Sequence, residues 1–407
     1  VTVRPCRSCG HTDLEEILSL GEQPLAGAFV REEQLAEREP TFPLAVAFCP
    51  ACTLVQLAHD VPPEVLFGSE YVYFSSFSDG LVEHARALAD ALIDARGLGG
   101  DSLVLEIACN DGYLLRHFVE RGIPVLGIEP SAGPASAAEA AGVPTLQSFF
   151  GVELAAELRA RGQRADVIVA NNVLAHTPDP NGLLQGIEML LADGGLVSIE
   201  NQYVADLLRL GAFDLVYHEH FSYFSTTAVD ALVRRHGLSL GRVERFPLQG
   251  GTLRWHVTRS DGPDASVRRT LEAEERDGLT RLDAYRGLAA RSDRLRTELR
   301  ALLESFSGAG KRIAAYGAAA KGTVLLNASG IGPELVQFVA DRNPQKQGRY
   351  VPGVRIPIVG PDAVLREAPD YLLLLAWNLE QEILEQEREY RRQGGRFIVP
   401  VPWPRVV

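Results

Sequence analysis

Leu103-Val104-Leu105-Glu106-Ile107-Ala108-Cys109-Asn110-Asp111-Gly112-Tyr113-Leu114-Leu115 decides how this 407-residue chain folds. A short apolar run, a loop of small residues and a second apolar run read as strand, turn and helix. Small side chains and Gly112 let the backbone come close to a ligand at the helix N-terminus. Val125 to Ser131 reads as the next strand, with Glu129 and Pro130 at its carboxyl end. An acid about twenty residues after such a loop suits the two hydroxyls of a ribose.

Glu106 stands before the loop, and the G-x-G-x-x-G of a dinucleotide site is absent. That arrangement resembles motif I of class I S-adenosylmethionine-dependent methyltransferases. Later segments agree. Gln147-Ser148-Phe149-Phe150 falls where that family places the residues flanking adenine. Ala165 to His176, with Asn171 and Asn172, resembles its fourth strand, whose carboxyl end faces the methyl donor. Leu183 to Leu191 reads as a helix and Gly194 to Asn201 as the following strand, an alternation expected of a parallel α/β sheet. The resemblance implies donor contacts from Glu106, Ala108, Asn110, Asp111, Gly112, Glu129, Pro130, Phe149, Phe150, Asn171 and Asn172.

Upstream, Leu81 to Arg96 has helical spacing (Leu81, Ala85, Leu88, Leu92) and stops at Gly97. Before it, Tyr71-Val72-Tyr73-Phe74-Ser75-Ser76-Phe77-Ser78 interleaves rings and hydroxyls. It reads either as a strand packing its aromatics or as a lip over a polar substrate. Cys6-Arg7-Ser8-Cys9 and Cys49-Pro50-Ala51-Cys52 are two C-x-x-C knuckles with residues 10–48 between them. Two such turns supply the four thiolates of a closed, structural zinc site, here a ribbon with a large insertion. A redox role, or His11 in place of one cysteine, is the alternative.

The composition, 46 % hydrophobic and 23 % charged, is that of a globular protein of two or three domains. A formal charge of -13 disfavours a nucleic-acid partner. No apolar run is long enough to span a membrane and the N-terminus lacks the layout of a signal peptide, so a cytoplasmic protein is expected.

Downstream, Val216-Tyr217-His218-Glu219-His220-Phe221-Ser222-Tyr223-Phe224 gathers two histidines, a carboxylate and two phenols. Imidazole moves protons near neutral pH, and a neighbouring carboxylate can orient it. The alternative is a surface strand with solvated histidines. His176 likewise reads as a site residue at the sheet's carboxyl edge or as a cap on backbone carbonyls. Gly250-Gly251-Thr252-Leu253-Arg254 looks like a turn into a strand. Residues 267–306 carry leucines at helical spacing and read as one or two surface helices joining two halves. Arg312 to Thr323, with Tyr316, Gly317, Ala318, Lys321 and Gly322, repeats the strand–loop–helix theme, and Asp341 ends a further strand. Tyr371 to Trp377 and Arg396 to Val401 complete a smaller α/β sheet. A diphosphate on the Gly317–Gly322 loop, held by backbone N–H groups and Lys321, is expected there. A nicotinamide-cofactor reductase lacks its third glycine.

The order and combination of these motifs, from the knuckles through Leu20-Gly-Glu-Gln-Pro-Leu-Ala26, Thr53 to Leu57, Tyr71 to Ser76, Glu106 to Leu114, Val216 to Ser225, Gly250 to Arg254 and Tyr316 to Gly322, resemble the sugar C-methyltransferases of antibiotic deoxysugar biosynthesis over nearly the whole chain. The resemblance implies a zinc-binding module (1–70), a Rossmann-like methyltransferase domain (71–240) and a second Rossmann-like, nucleotide-sugar domain (241–407). It implies methyl transfer to a carbon beside the ketone, C-3 favoured, of a dTDP-linked 4-keto-deoxysugar. His220 becomes the base, with Glu219, Tyr217, His176 and Tyr71 around it. Tyr73, Ser75, Ser76, Asn201, Arg254, Tyr316, Gly317, Ala318, Lys321, Gly322 and Asp341 become substrate contacts. A zinc-ribbon RNA methyltransferase and a non-catalytic nucleotide-sugar-binding module remain the alternatives; oligomeric state is open, with a monomer compatible. Ala108 and Cys109 replace the family's glycine and serine, Thr53 stands where glycine is usual, and Gly27 where asparagine is common. Alanine at a position that needs positive φ is costly.

Overall fold

A computed structural model describes residues 4–66, 74–260 and 262–407. Three sheets carry the chain. The first is antiparallel, in the order Glu15–Pro24, Thr41–Phe48, Val55–Leu57 and Ser222–Tyr223. Its fourth strand comes from the middle of the chain, directly after His220, so the cysteine module and the histidine stretch share one sheet.

The two knuckles are built alike. Gly10 N–H donates to the Cys6 carbonyl and Thr53 N–H to the Cys49 carbonyl, both at 2.8 Å. Both donors sit at positive φ, +77° for Gly10 and +62° for Thr53. The four Sγ atoms lie within 4.8 Å of one another, with Cys6 and Cys52 at 3.4 Å and Cys9 and Cys49 at 3.6 Å. That is a preformed tetrahedral thiolate set. It holds Cys6 well below an ordinary thiol, to about 5, chiefly through the Cys52 contact.

The second sheet has seven strands, in the order Ser239–Phe246, Thr252–Thr258, Leu191–Gln202, Ala165–Asn171, Val104–Ile107, Val125–Ile128 and Thr145–Leu146. The last five named are parallel, and the 239–258 hairpin adds antiparallel. Chain order reverses between Val104–Ile107 and Ala165–Asn171, which puts the ligand crevice at the carboxyl ends of those two strands. A division at residue 240 falls inside Ser239–Phe246, and the turn and strand expected at Gly250–Arg254 complete this sheet rather than the next. Helix Asp79–Arg96 forms as its spacing requires: Ser78 Oγ caps it by accepting from Leu81 N–H, and Gly97 ends it at φ +59°.

The third sheet runs Ile358–Val359, Val339–Ala340, Ile313–Tyr316, Tyr371–Leu374, Arg396–Val399 and Arg405–Val406, parallel except for the last pair. Helices Ala265–Arg276 and Gly287–Gly308 join it to the rest. They do not simply lie on the surface. Leu288, Ser292, Leu295, Leu299 and Leu303 form a buried stripe, and the fully buried Tyr285 ring packs 4.6 Å from Phe48 of the cysteine module. No helix among the described residues is long and apolar enough to cross a membrane.

Thr53 carries a left-handed backbone and a buried hydroxyl without a hydrogen-bond partner. Thr53→Gly is therefore expected to raise stability by about 1 kcal/mol, read as a higher urea midpoint of the zinc-loaded protein at unchanged slope. A lower midpoint would contradict the strain.

Candidate active site

The donor loop is an acidic cradle. Glu106 is buried at the end of its strand, and Glu129 is buried at the end of the neighbouring one. Glu129 accepts from Asn110 N–H at 3.0 Å and from Ser131 N–H at 2.8 Å. Burial raises Glu106 well above the usual carboxylate range, and the charges of Asp111 and Glu129 raise it further. Glu106 Oε2 and Asp111 Oδ1 are buried without hydrogen-bond partners. A ligand that brings positive charge and hydroxyl donors would satisfy them, which is the chemistry of S-adenosylmethionine, a sulfonium with an α-amino group and a ribose.

The loop backbone explains its composition. Ala108, Asn110 and Gly112 all have positive φ, at +54°, +52° and +75°. A Cβ on Gly112 would lie 3.0 Å from Val143, so glycine is required there. Ala108 adopts the strained conformation at the cost foreseen for it. Cys109 packs against Gly127, where an added Cβ would come within 2.5 Å of its sulfur. Burial raises its thiol, so it is a packing residue and not a nucleophile. Ser75 N–H donates to Asn110 Oδ1 at 2.8 Å and Ser76 N–H to Asp111 Oδ2 at 3.1 Å. The segment after residue 73 is thus tied to the donor loop by its backbone, not by its hydroxyls. Tyr71 and Tyr73 lie outside the described residues. Phe149 is half-exposed at the crevice rim, whereas Phe150 turns in against Gly186. Pro130 is partly exposed beside Glu129. Asn171 and Asn201, on adjacent strand ends, each bury an Oδ1 without a partner, and Asn172 takes positive φ.

The second cluster surrounds His220. The 3₁₀ turn Phe213–Leu215 presents the Leu215 carbonyl to His220 Nδ1 at 3.1 Å. Nδ1 therefore carries the proton, and Nε2 is left as the acceptor, facing Tyr217 Oη at 2.7 Å. The His176 ring meets His220 edge-on at 4.7 Å, and the Tyr223 ring meets His220 edge-on at 6.0 Å. Burial pushes His220 well below an ordinary imidazole and His176 down to about 4. Both rings are neutral at physiological pH, the form a base needs. His218 belongs elsewhere, against Phe42.

Several expected contacts are arranged otherwise. Glu219 does not orient His220; the Leu215 carbonyl does. Glu219 turns to Gly27, where a Cβ would lie 2.9 Å from its Oε1, and burial pushes it up to about 7. It borders a cavity of about 370 Å³ that also meets Phe29, Arg38, Leu66 and Arg349. Arg254 is consumed by buried partners: Glu200 at 2.8 Å, His84 at 2.9 Å and Glu244 at 3.6 Å, with its guanidinium 4.4 Å over Phe246. It is not available to a substrate. Four of the six N–H groups of the Gly317–Gly322 loop already have partners, which leaves those of Ala320 and Lys321 at the helix N-terminus. Gly317 donates to Ala340, Ala318 to Asp341 Oδ2, Ala319 to Gly317 and Gly322 to Ala319. Gly317 and Gly322 serve close packing, against Ala376 and Leu375. Asp341 organises this loop, and Tyr316 is buried beside Glu387. Tyr223 and Asp214 are site residues that the sequence reading passed over. Tyr223 stood inside the histidine stretch, but nothing in the pattern distinguished it from a core ring.

An acidic loop at the switch point of a doubly wound sheet defines a class I methyltransferase. Family models agree along the chain: "Putative zinc binding domain" over residues 6–67, "Methyltransferase domain" over 81–242 and "C-methyltransferase C-terminal domain" over 247–402. The chain is 39 % identical to C-methyltransferase NovU of Streptomyces niveus, over 100 % of this chain and 98 % of that protein. A ubiquinone biosynthesis O-methyltransferase of Colwellia psychrerythraea is 25 % identical over 36 % of this chain and 64 % of its own. The magnesium protoporphyrin IX methyltransferase of Synechocystis, 15 % identical over 44 % of this chain and 80 % of its own, superposes with a TM-score of only 0.35. The chain belongs to the zinc-module C-methyltransferase family. It is an enzyme that methylates carbon from S-adenosylmethionine, and the four cysteines are its zinc site.

Removing the Glu129 carboxylate frees two backbone N–H groups of the donor loop. Glu129→Ala is expected to weaken S-adenosylmethionine binding by about 10- to 100-fold in titration calorimetry, with zinc content unchanged.

Proposed function

We propose that the enzyme methylates the carbon next to the ketone, C-3 favoured, of a dTDP-linked 4-keto-deoxysugar, through an enolate generated by His220. The observation that carries this is the neutral, buried His220, its tautomer set by Leu215 so that Nε2 faces the cluster. A sugar C–H is not acidic unless a ketone adjoins it, so carbon methylation of a sugar needs both the ketone and such a base.

His220 Nε2 takes the α-proton. The C–H pair becomes the enolate double bond and the carbonyl π pair moves to oxygen. Tyr217, with its hydroxyl at Nε2, is the neutral donor near the developing oxyanion, and the His176 ring packs edge-on beside the base. When bound, S-adenosylmethionine supplies an electrophilic methyl, whose bond to sulfur breaks as the new C–C bond forms. Asn171 and Asn201 lie at the ends of adjacent strands, where their buried amide oxygens suit hydroxyls. The cavity beside Glu219 has apolar walls and is lined by Arg38 and Arg349 together with Glu37 and Glu39. Zinc takes no part, since the closed four-thiolate set lies apart from this cluster.

His220→Asn is expected to lower kcat by about 10²–10⁴-fold while both ligands still bind. The assay is mass spectrometry with S-adenosylmethionine and a panel of dTDP-4-keto-deoxysugars in D₂O. Loss of both methylation and α-deuterium exchange is the expected result; exchange at the wild-type rate would remove His220 as the base. Because burial lowers His220, the acid limb of the wild-type kcat profile is expected below pH 6.5, the ordinary imidazole value. A limb above that value would show a base that is not so buried.

A further inference from the structure

Lys321 opens the helix Ala320–Ala328 of the C-terminal half, and this helix packs on the Phe213–Leu215 turn. Its half-buried Nζ bonds Asn378 Oδ1 and lies 5.3 Å from the centre of the Trp377 ring. Trp377 Nε1–H in turn donates to Asp214 Oδ2 at 2.6 Å, a contact between the halves that is wholly buried. A Cβ on Gly250 would lie 3.1 Å from Trp377 and 3.7 Å from Leu215, so indole and Leu215 close on the same glycine. Consecutive residues of one turn thus do two jobs. Asp214 anchors Trp377 beneath Lys321, and Leu215 fixes the His220 tautomer. Four of the six N–H groups in the Lys321 loop are already committed, which leaves only those of Ala320 and Lys321 beside the ammonium. Of its three N–H bonds, one goes to Asn378, its only hydrogen-bond partner among the described residues.

Given the reading of His220 as the base, we propose that Lys321 is a catalytic residue supplying the positive charge that steadies the oxyanion formed on the acceptor, and that Asp214 is the positioning residue that keeps it charged and aimed. A neutral donor such as Tyr217 leaves a full negative charge uncompensated in a buried site, which is costly. Lys321 comes to this cluster on the helix that packs against the Phe213–Leu215 turn holding His220, so its charge faces the buried site from the other half. Asp214 is the titratable group whose charge acts on Lys321, and the Lys321 charge in turn bears on His220. Burial brings Lys321 down to about 8, and Asp214 opposes the fall. Replacing Asp214 by asparagine removes that opposition, so Lys321 loses its proton at lower pH.

The test uses full-length, zinc-loaded enzyme, S-adenosylmethionine and the member of the dTDP-4-keto-sugar panel that the wild type turns over. Lys321→Met is expected to lower kcat by about 10²–10³-fold, with dTDP affinity changed by no more than about twofold and Lys321→Arg recovering part of the rate. Asp214→Asn is expected to move the alkaline limb of kcat below its wild-type position near pH 8, a shift that a merely structural defect would not produce. Weaker dTDP binding with kcat intact in Lys321→Met would overturn the proposal in favour of a diphosphate contact. An unmoved alkaline limb in Asp214→Asn would overturn the role of Asp214. His220→Asn, run in parallel, separates the two readings. Loss there with Lys321→Met unimpaired sinks only this inference; full activity there, or no turnover of any panel member by the wild type, sinks the base and this inference together.

Discussion

The hydrogen bond from His220 Nδ1 to the Leu215 carbonyl is the contact around which the molecule is arranged. An imidazole has two nitrogens, and a base needs one of them stripped of its proton and pointed at the reaction. A backbone carbonyl does this without adding charge, whereas a carboxylate partner would have raised the imidazole pKa and slowed release of the proton. The price is burial, and burial itself keeps the ring neutral. Holding that carbonyl requires the Phe213–Leu215 turn to be immobile. The turn is clamped from the C-terminal half by Trp377 through Asp214. On the other side, the strand Ser222–Tyr223, two residues past His220, is sewn into the cysteine module's sheet. The zinc module and His220 are therefore joined through one sheet.

The donor side uses the opposite electrostatics. Glu106, Asp111 and Glu129 crowd one loop, each raising the free energy of the ionised Glu106. Two of their oxygens have no hydrogen-bond partner among the described residues. An apo site in this condition favours a cationic ligand, and only after that ligand arrives is the buried polarity satisfied. The left-handed backbone at Ala108 and Asn110 is what brings the loop close enough for Glu129 to grip Asn110 N–H. Strain at Ala108 is thus tied to cofactor geometry, whereas strain at Thr53 serves only to close a zinc knuckle.

The sequence by itself determined the three α/β and zinc units, the four cysteine ligands, the acidic donor loop and the histidine stretch. Each of these is local: a knuckle, a strand–loop–helix and a clustered His-Glu-His are written within a dozen residues, and the side-chain types alone restrict the chemistry. The sequence did not determine which partner each polar group would find. Glu219 is adjacent to His220 in the chain, yet successive side chains point apart, and Gly27 left a space that Glu219 fills. Arg254 looked available, but the strand carrying it joined the donor sheet and set it against Glu200. Lys321 stands in a loop of its own in the sequence, and packing of the two halves set its ammonium against Asn378 and Trp377, beside the Asp214 turn. Such pairings depend on contacts between residues a hundred or more positions apart. Burial makes each polar group take whatever partner the assembled fold brings within reach, and only tertiary structure decides which partner that is.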